Sequence, residues 1–273
     1  MTVQPAGRPR GATWVPRLVA LDLDGTVVGA EEQVSVPLLD AVGAVLAAGV
    51  HVVLATGRSL HATRDVAFAL GVQSGWAVCS NGAVTATLPP DEKVVDVVTF
   101  DARPAVALLG EHVPTARYAV EVLGSGYRVT APFPDGELGG DIIVESLAEL
   151  LAEPVSRVVV RSPEHTSQEF YEIVEQAGLH GVSYAVGHTA WLDLAPSGVT
   201  KASGLAGVAR RLGVAQEDTL AIGDGRNDVE MLAWAAHGVA MGQAVDEVRW
   251  AADEVTAPFE EDGAALVLQR YFP

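Results

Sequence analysis

Two aspartates, Asp22 and Asp24, stand two positions apart at the end of the apolar run Leu18-Val19-Ala20-Leu21, where a buried strand is expected to close. Isolated carboxylates among apolar residues are costly to desolvate, and a divalent cation is an effective compensating partner. Residues two apart on a strand point to the same side, and Gly25 allows a sharp turn just past them. Both carboxylates are therefore expected to share one small space above a sheet. A hard cation there would keep one carboxylate ionised as a nucleophile while the second carries a proton. An Asp-Gly pair that simply breaks the chain is the plainer alternative.

Three further segments point the same way. The run Val50-His51-Val52-Val53-Leu54-Ala55 ends in Thr56-Gly57-Arg58, and a hydroxyl with backbone N–H groups at a strand-to-helix junction suits a phosphate oxygen. Thr200-Lys201 opens another helical stretch, and Lys201 would bring a positive charge to the same phosphate, although a lone lysine there is more simply a solvated helix residue. The run Thr219-Leu220-Ala221-Ile222 leads straight into Gly223-Asp224-Gly225-Arg226-Asn227-Asp228, where glycines permit a tight turn and two more carboxylates emerge. That acidic run lacks the ligand spacing and closing glutamate of an EF-hand loop.

With these four motifs in this order, the chain resembles the haloacid dehalogenase superfamily of phosphatases, specifically its Cof-type members with a type IIB cap. Ser80-Asn81-Gly82-Ala83, Met241-Gly242-Gln243-Ala244 and Glu261-Asp262-Gly263 add to the likeness. Gln243 stands where the family usually has asparagine, a departure expected to touch only a local turn contact. The resemblance implies that Asp22 attacks phosphorus to form an aspartyl-phosphate, and that Asp24 protonates the leaving oxygen and then activates the hydrolytic water. It implies Mg²⁺ held by the side chains of Asp22 and Asp224 and the backbone carbonyl of Asp24, with Asp228 orienting this shell or ligating through water. It further implies that Thr56, Gly57, Lys201 and Asn227 bind the phosphoryl group. Asp24 argues against carbon–halogen cleavage. A phosphomutase and a non-catalytic sugar-phosphate sensor stand as alternatives, whereas a phosphorelay receiver is about half as long.

Such residues need an α/β scaffold: a doubly wound, Rossmann-like parallel sheet whose strand ends gather them at one edge. The motifs fall before residue 60 and after residue 200, so the chain can leave the sheet and return. Between them, strand-like runs at 94–99, 117–123, 127–130, 156–161 and 181–186 alternate with helical patterns at 103–112, 142–151 and 165–177. The expected organisation is a flexible leader over 1–17, a catalytic core over 18–84 and 189–273, and an inserted α+β cap domain over 85–188. The loops around Gly124-Ser125-Gly126 and Phe133-Pro134-Asp135-Gly136, and His188, are candidate cap contacts, more simply read as turns or hinges. Trp191, Trp234 and Trp250 are expected in the core, and no histidines show ligand spacing.

Composition bounds the partners. The 273-residue chain is 49% hydrophobic with a formal net charge of −18, a pI near 4.6 and a mean hydropathy of +0.26. Charge of this sign repels nucleic acid and anionic membranes, so a small phosphorylated molecule drawn in by local cations is the expected partner. No apolar run reaches the roughly 18 residues of a membrane helix. The first 17 residues carry Arg8, Arg10 and Arg17 without the apolar centre of a signal peptide. The single Cys79 excludes an internal disulfide, and the expected location is the cytoplasm, as a monomer or homodimer.

Overall fold

The computed structural model describes residues 14–186 and 189–273. The described strands, in chain order, are β1 (Leu18–Leu21), β2 (His51–Ala55), β3 (Trp76–Cys79), β4 (Val84–Thr87), β5 (Lys93–Val97), β6 (Arg117–Val122) and β7 (Gly126–Val129). They continue with β8 (Asp141–Val144), β9 (Val158–Arg161), β10 (Val182–Val186), β11 (Trp191–Pro196), β12 (Thr219–Gly223), β13 (His237–Ala240) and β14 (Glu254–Val255). Contacts divide the chain into two compact units. The first runs to Arg58 and takes in Thr63–Val95 and Thr200–Pro273; the second comprises Ser59–Ala62 and Asp96–Val199.

The first unit holds an eight-stranded sheet in the order β14-β13-β12-β1-β2-β3-β4-β5. Pairing is parallel from β14 through β3 and antiparallel between β3 and β4. Leu18, Val19, Ala20 and Leu21 are all fully buried, which is why β1 reads as an unbroken apolar run rather than an alternating one. β1 lies between β2 and β12, where the winding reverses direction. Open α/β sheets carry a crevice beyond the carboxyl ends of the strands at such a point. The helix Val36–Ala47 begins where the Ser35 hydroxyl accepts the Leu38 N–H, with Pro37 in the first turn. Its buried residues Leu38, Ala41, Val42 and Val45 fall on one helical face.

The second unit is built on a six-stranded sheet, β10-β11-β9-β6-β7-β8, antiparallel except for the β7–β8 pair. Tyr118, Val120, Val158, Val160, Leu192 and Leu194 from its strands pack with Leu109, Leu150, Phe170 and Val174 from three helices. Alternate strand residues thus face the helices, as expected of a half-covered sheet.

Several elements differ from those expected. Residues 142–151 are not one helix: Ile142-Ile143-Val144 form β8, and the one-turn helix Leu147–Leu150 starts only after the capping box of Ser146 and Glu149. The expected junctions near 84–85 and 188–189 move later in the chain, because β4 pairs with β3 and β11 pairs with β9 and β10. Residues 14–17 of the expected leader are tied down. The Arg17 N–H donates to the Asp218 carbonyl at 2.8 Å, the Trp14 indole donates to the Glu217 carbonyl at 3.0 Å, and the Trp14 ring packs edge-on to Tyr271. Trp250 is 59% exposed rather than core, since the helix Asp246–Ala251 turns Val248 inward and Trp250 away from it. His188 lies outside the described residues. Among the described residues no helix is long and apolar enough to cross a membrane.

Candidate active site

Asp22 follows β1 directly, and its N–H donates to the Ile222 carbonyl at 3.0 Å, so the ladder to β12 fixes its backbone. Its side chain is buried, and Oδ1 accepts from Lys201 Nζ at 2.6 Å. Lys201 is in the first turn of the helix Lys201–Leu212, which Thr200 caps by accepting the Ser203 N–H. The Lys201 side chain is fully buried, and the same Nζ donates to Asp228 Oδ1 at 2.6 Å. The other Asp228 oxygen, Oδ2, accepts the N–H groups of Asp224 and Gly225 at 2.9 and 2.8 Å. Lysine and aspartate together thus shape the turn that follows β12. One ligand atom each from Asp22, Asp224 and Asp228 lies within 4.8 Å of the others.

Three carboxylates gather here around one ammonium, which donates to two of them, Asp22 and Asp228. Burial, followed by the charge of Asp228, pushes Asp22 up to about 7 against the lowering effect of Lys201. Burial also pushes Asp228 up, again against Lys201. Burial acts to lower Lys201, but the facing charges of Asp22 and Asp228 raise it overall. The surplus of negative charge is what a divalent cation offsets, and a donor set of oxygens only suits a hard ion such as Mg²⁺. The residues present fit such an ion.

Asp24 departs from expectation. Its side chain is 59% exposed and is not one of the three clustered carboxylates, of which Asp22 and Asp228 are buried and Asp224 half-buried; it makes an ion pair with Arg58. The reason is local: β1 ends at Leu21, and Asp24 enters a tight turn in which the Gly25 N–H donates to the Val28 carbonyl at 2.8 Å. The side-chain alternation of a strand therefore stops before it reaches Asp24. Gly25 itself has φ +83°, and a Cβ there would collide with the Asp224 carboxylate, so only glycine permits this turn beside that side chain.

The remaining predicted residues gather around the turn after β2. Thr56 is buried, and its Oγ1 accepts the Arg58 N–H at 3.0 Å, which shapes the Thr56-Gly57-Arg58 turn. A strap from residues 80–82 covers it, the Ser80 N–H donating to the Arg58 carbonyl and the Asn81 N–H to the Thr56 carbonyl. Asn81 Oδ1 in turn accepts from Asn227 Nδ2 at 2.9 Å, linking this turn to the one after β12. Ser80 and Asn81 hold φ near +50°, a costly conformation of the kind that clusters at functional sites. The Ser-Asn-Gly sequence was the available signal for Asn81.

Gly82 completes the strap with φ +102°, and a Cβ there would run into the Thr200 carbonyl. This contact sets the start of the helix that carries Lys201. Gly82→Ala is therefore expected to destabilise the protein by about 1–3 kcal/mol or more, measured by urea denaturation. An unchanged midpoint would show that the close approach is unimportant.

Gln243 is more central than a local turn contact. Its Nε2 donates to the Gly25 carbonyl at 2.7 Å and to Asp224 Oδ2 at 3.2 Å, while Oε1 accepts the Phe259 N–H at 3.0 Å. The side chain thus reaches one of the three clustered carboxylates directly.

A family model described as haloacid dehalogenase-like hydrolase matches residues 19–113 and 135–268. The chain is 29% identical to the stress response protein YhaX of Bacillus subtilis, over 94% of this chain and 93% of that one. It is 27% identical to the 5-amino-6-(5-phospho-D-ribitylamino)uracil phosphatase YitU of the same organism, over 94% and 98%. Among solved structures, a superfamily phosphatase from Bacteroides thetaiotaomicron superposes with a TM-score of 0.77 at 26% identity, covering 97% of each chain. A subclass IIB sugar phosphatase superposes with a TM-score of 0.75 at 25% identity, covering 93% of this chain and 98% of the other.

Proposed function

The chain belongs to the haloacid dehalogenase-like hydrolases and is a phosphatase of that family, and from this premise we propose that it hydrolyses small phosphomonoesters, sugar phosphates or phosphorylated cofactors, through an aspartyl-phosphate on Asp22. The observation that carries this reading is the buried Asp22–Lys201–Asp228 set with Asp224 beside it, at the carboxyl ends of β1 and β12. An ionised carboxylate next to a buried ammonium and two further acids is poorly placed for packing and well placed to attack phosphorus.

Asp22, Asp224 and the backbone carbonyl of Asp24 would hold Mg²⁺, with Asp228 orienting them, and the ion would supply neutralising charge at the phosphoryl oxygens. Asp228 is suited to orienting rather than holding, since its oxygens already accept from Lys201 and two backbone N–H groups. Thr56, Gly57, Lys201 and Asn227 hold the phosphoryl oxygens. An Asp22 oxygen bonds to phosphorus as the bond to the leaving oxygen breaks, and Asp24 gives that oxygen its proton. Asp24 then takes a proton from water, whose oxygen bonds to phosphorus while the bond to Asp22 breaks. Phosphate leaves and both carboxyl groups return to their starting state. The second unit is, in this reading, the inserted α+β cap domain.

Phosphate release from p-nitrophenyl phosphate with Mg²⁺ tests the chemistry, followed by a panel of sugar phosphates, nucleotides and phosphorylated cofactors. Turnover of at least one is expected, and silence across the panel would defeat the reading.

A pH dependence follows from the raised Asp22. Its folded value of about 7 lies above the ordinary carboxylate range, so the metal-free fold binds a proton there that the unfolded chain has lost. That contribution to stability is present at low pH and fades as pH rises toward 7. Mg²⁺ competes for the same charge, so its affinity is expected to weaken by about tenfold per pH unit below about 7 and to level off above. Calorimetric titration at several pH values measures this, and a flat profile would contradict it.

A further inference from the structure

The Arg58–Asp24 pair has a geometry that a plain surface ion pair does not require. Arg58 Nη2 donates to Asp24 Oδ1 at 2.6 Å, and Nε makes longer contacts of 3.2 and 3.1 Å to Oδ1 and Oδ2. Both carboxylate oxygens accept from the guanidinium, Oδ1 most closely, and Oδ2, with a single contact at 3.1 Å, keeps a lone pair for a further partner. The guanidinium is itself held, since Nη2 also lies 2.9 Å from Glu32 Oε1 and the Arg58 side chain is only 17% exposed. Its backbone is fixed at both ends, by the N–H to Thr56 Oγ1 and by the carbonyl accepting from Ser80.

We propose that Arg58 is a positioning residue for the Asp24 acid: its fork fixes the plane of the carboxyl group through both oxygens and leaves the remaining lone pair of Oδ2 for the leaving oxygen. This rests on the phosphatase reading and on Asp24 as the group that exchanges the proton. Arg58 can donate to Oδ1 both when Oδ2 carries a proton and when it does not, more strongly to the ionised form, so the carboxyl group keeps one orientation through both halves of the reaction. Glu32 gives the guanidinium a second partner that stops it swinging toward the incoming phosphate. A guanidinium does this better than an ammonium, because its fork sets direction as well as charge.

The test separates orientation of the acid from binding of the phosphate. For p-nitrophenyl phosphate the leaving group needs no proton at neutral pH, whereas phenol does. The ratio of kcat/KM for phenyl phosphate to that for p-nitrophenyl phosphate therefore reports leaving-group protonation, and weakened phosphate binding cancels from it. In Arg58→Ala this ratio is expected to fall on the order of tenfold or more, with partial recovery in Arg58→Lys and a smaller fall in Glu32→Gln. In an Asp24→Asn background, Arg58→Ala should leave the ratio unchanged. An equal loss on both esters, or a full effect of Arg58→Ala without the Asp24 acid, would overturn the proposal. Wild-type turnover of the two esters tests the phosphatase reading separately. Where both esters turn over, a crystal structure of Arg58→Ala gives a second readout: a displaced Asp24 carboxylate supports the proposal, and one that keeps its place refutes it while leaving the phosphatase reading intact.

Discussion

Asp22→Asn is expected to lose phosphomonoester hydrolysis by on the order of 10⁴-fold or more while folding as well as the parent chain. Asparagine keeps the shape and one acceptor oxygen, so Lys201 retains a partner in both directions: the amide oxygen and Asp228 Oδ1. What is lost is the anionic oxygen that bonds to phosphorus. The stability change has the opposite sign to the activity change. Burial and Asp228 raise Asp22, which means that ionised Asp22 weighs against the metal-free fold at pH 8. Removing that charge should therefore leave the melting temperature of metal-free protein unchanged or higher, each kcal/mol corresponding to about 2–4 °C in a chain of this size. Phosphate release and thermal denaturation of the same preparation measure both. Parent-like turnover would remove Asp22 as the nucleophile, and a large fall in melting temperature would show that its carboxylate is structural.

The strand ends that carry Asp22, Thr56 and Asp224 were legible because parallel strands buried on both faces are written as unbroken apolar runs, and polar residues at their ends stand out. Lys201 was not legible alone, since a lysine in the first turn of a helix is ordinarily solvated; only its 2.6 Å contacts to two buried carboxylates separate it from that case. The side-chain direction of Asp24 was not legible, because strand periodicity ends with β1 and Asp24 lies in the bend at Gly25. Ile142-Ile143-Val144 failed for a related reason: a short apolar run beside a helical pattern does not announce its own period, and the β-branched residues should have decided it. Asn81 acts through a side-chain bond with Asn227, and Gln243 through bonds to Gly25, Asp224 and Phe259, each joining separate segments of the chain. Pairings of that kind leave no periodic trace. Trp250 shows the converse, an aromatic residue whose type suggests burial but whose helix face is exposed.

Lys201→Met should destabilise the protein by about 3–5 kcal/mol at pH 8. Methionine fills a similar volume, so the loss is electrostatic rather than a cavity. It leaves Asp22 and Asp228 buried without the ammonium that donates to both. Both carboxylates are buried, and Asp228 cannot turn to water without releasing the N–H groups of Asp224 and Gly225 that its Oδ2 accepts. The sign of the pH dependence follows. Lys201 is the group that lowers both acids, so without it each rises further above its ordinary range. Acids raised in the folded state take up protons as pH falls, and the neutral forms need no counter-charge. The deficit of Lys201→Met relative to the parent should thus be largest at alkaline pH and shrink steadily toward pH 5. Adding Asp22→Asn to Lys201→Met removes one of the two stranded charges and should recover part of the stability, whereas two independent sites would simply add. Urea denaturation of the parent, both single variants and the double variant at pH 5, 6.5 and 8 gives the coupling directly. A deficit of Lys201→Met that stays constant with pH would mean that the lysine packs the site rather than balancing its charge.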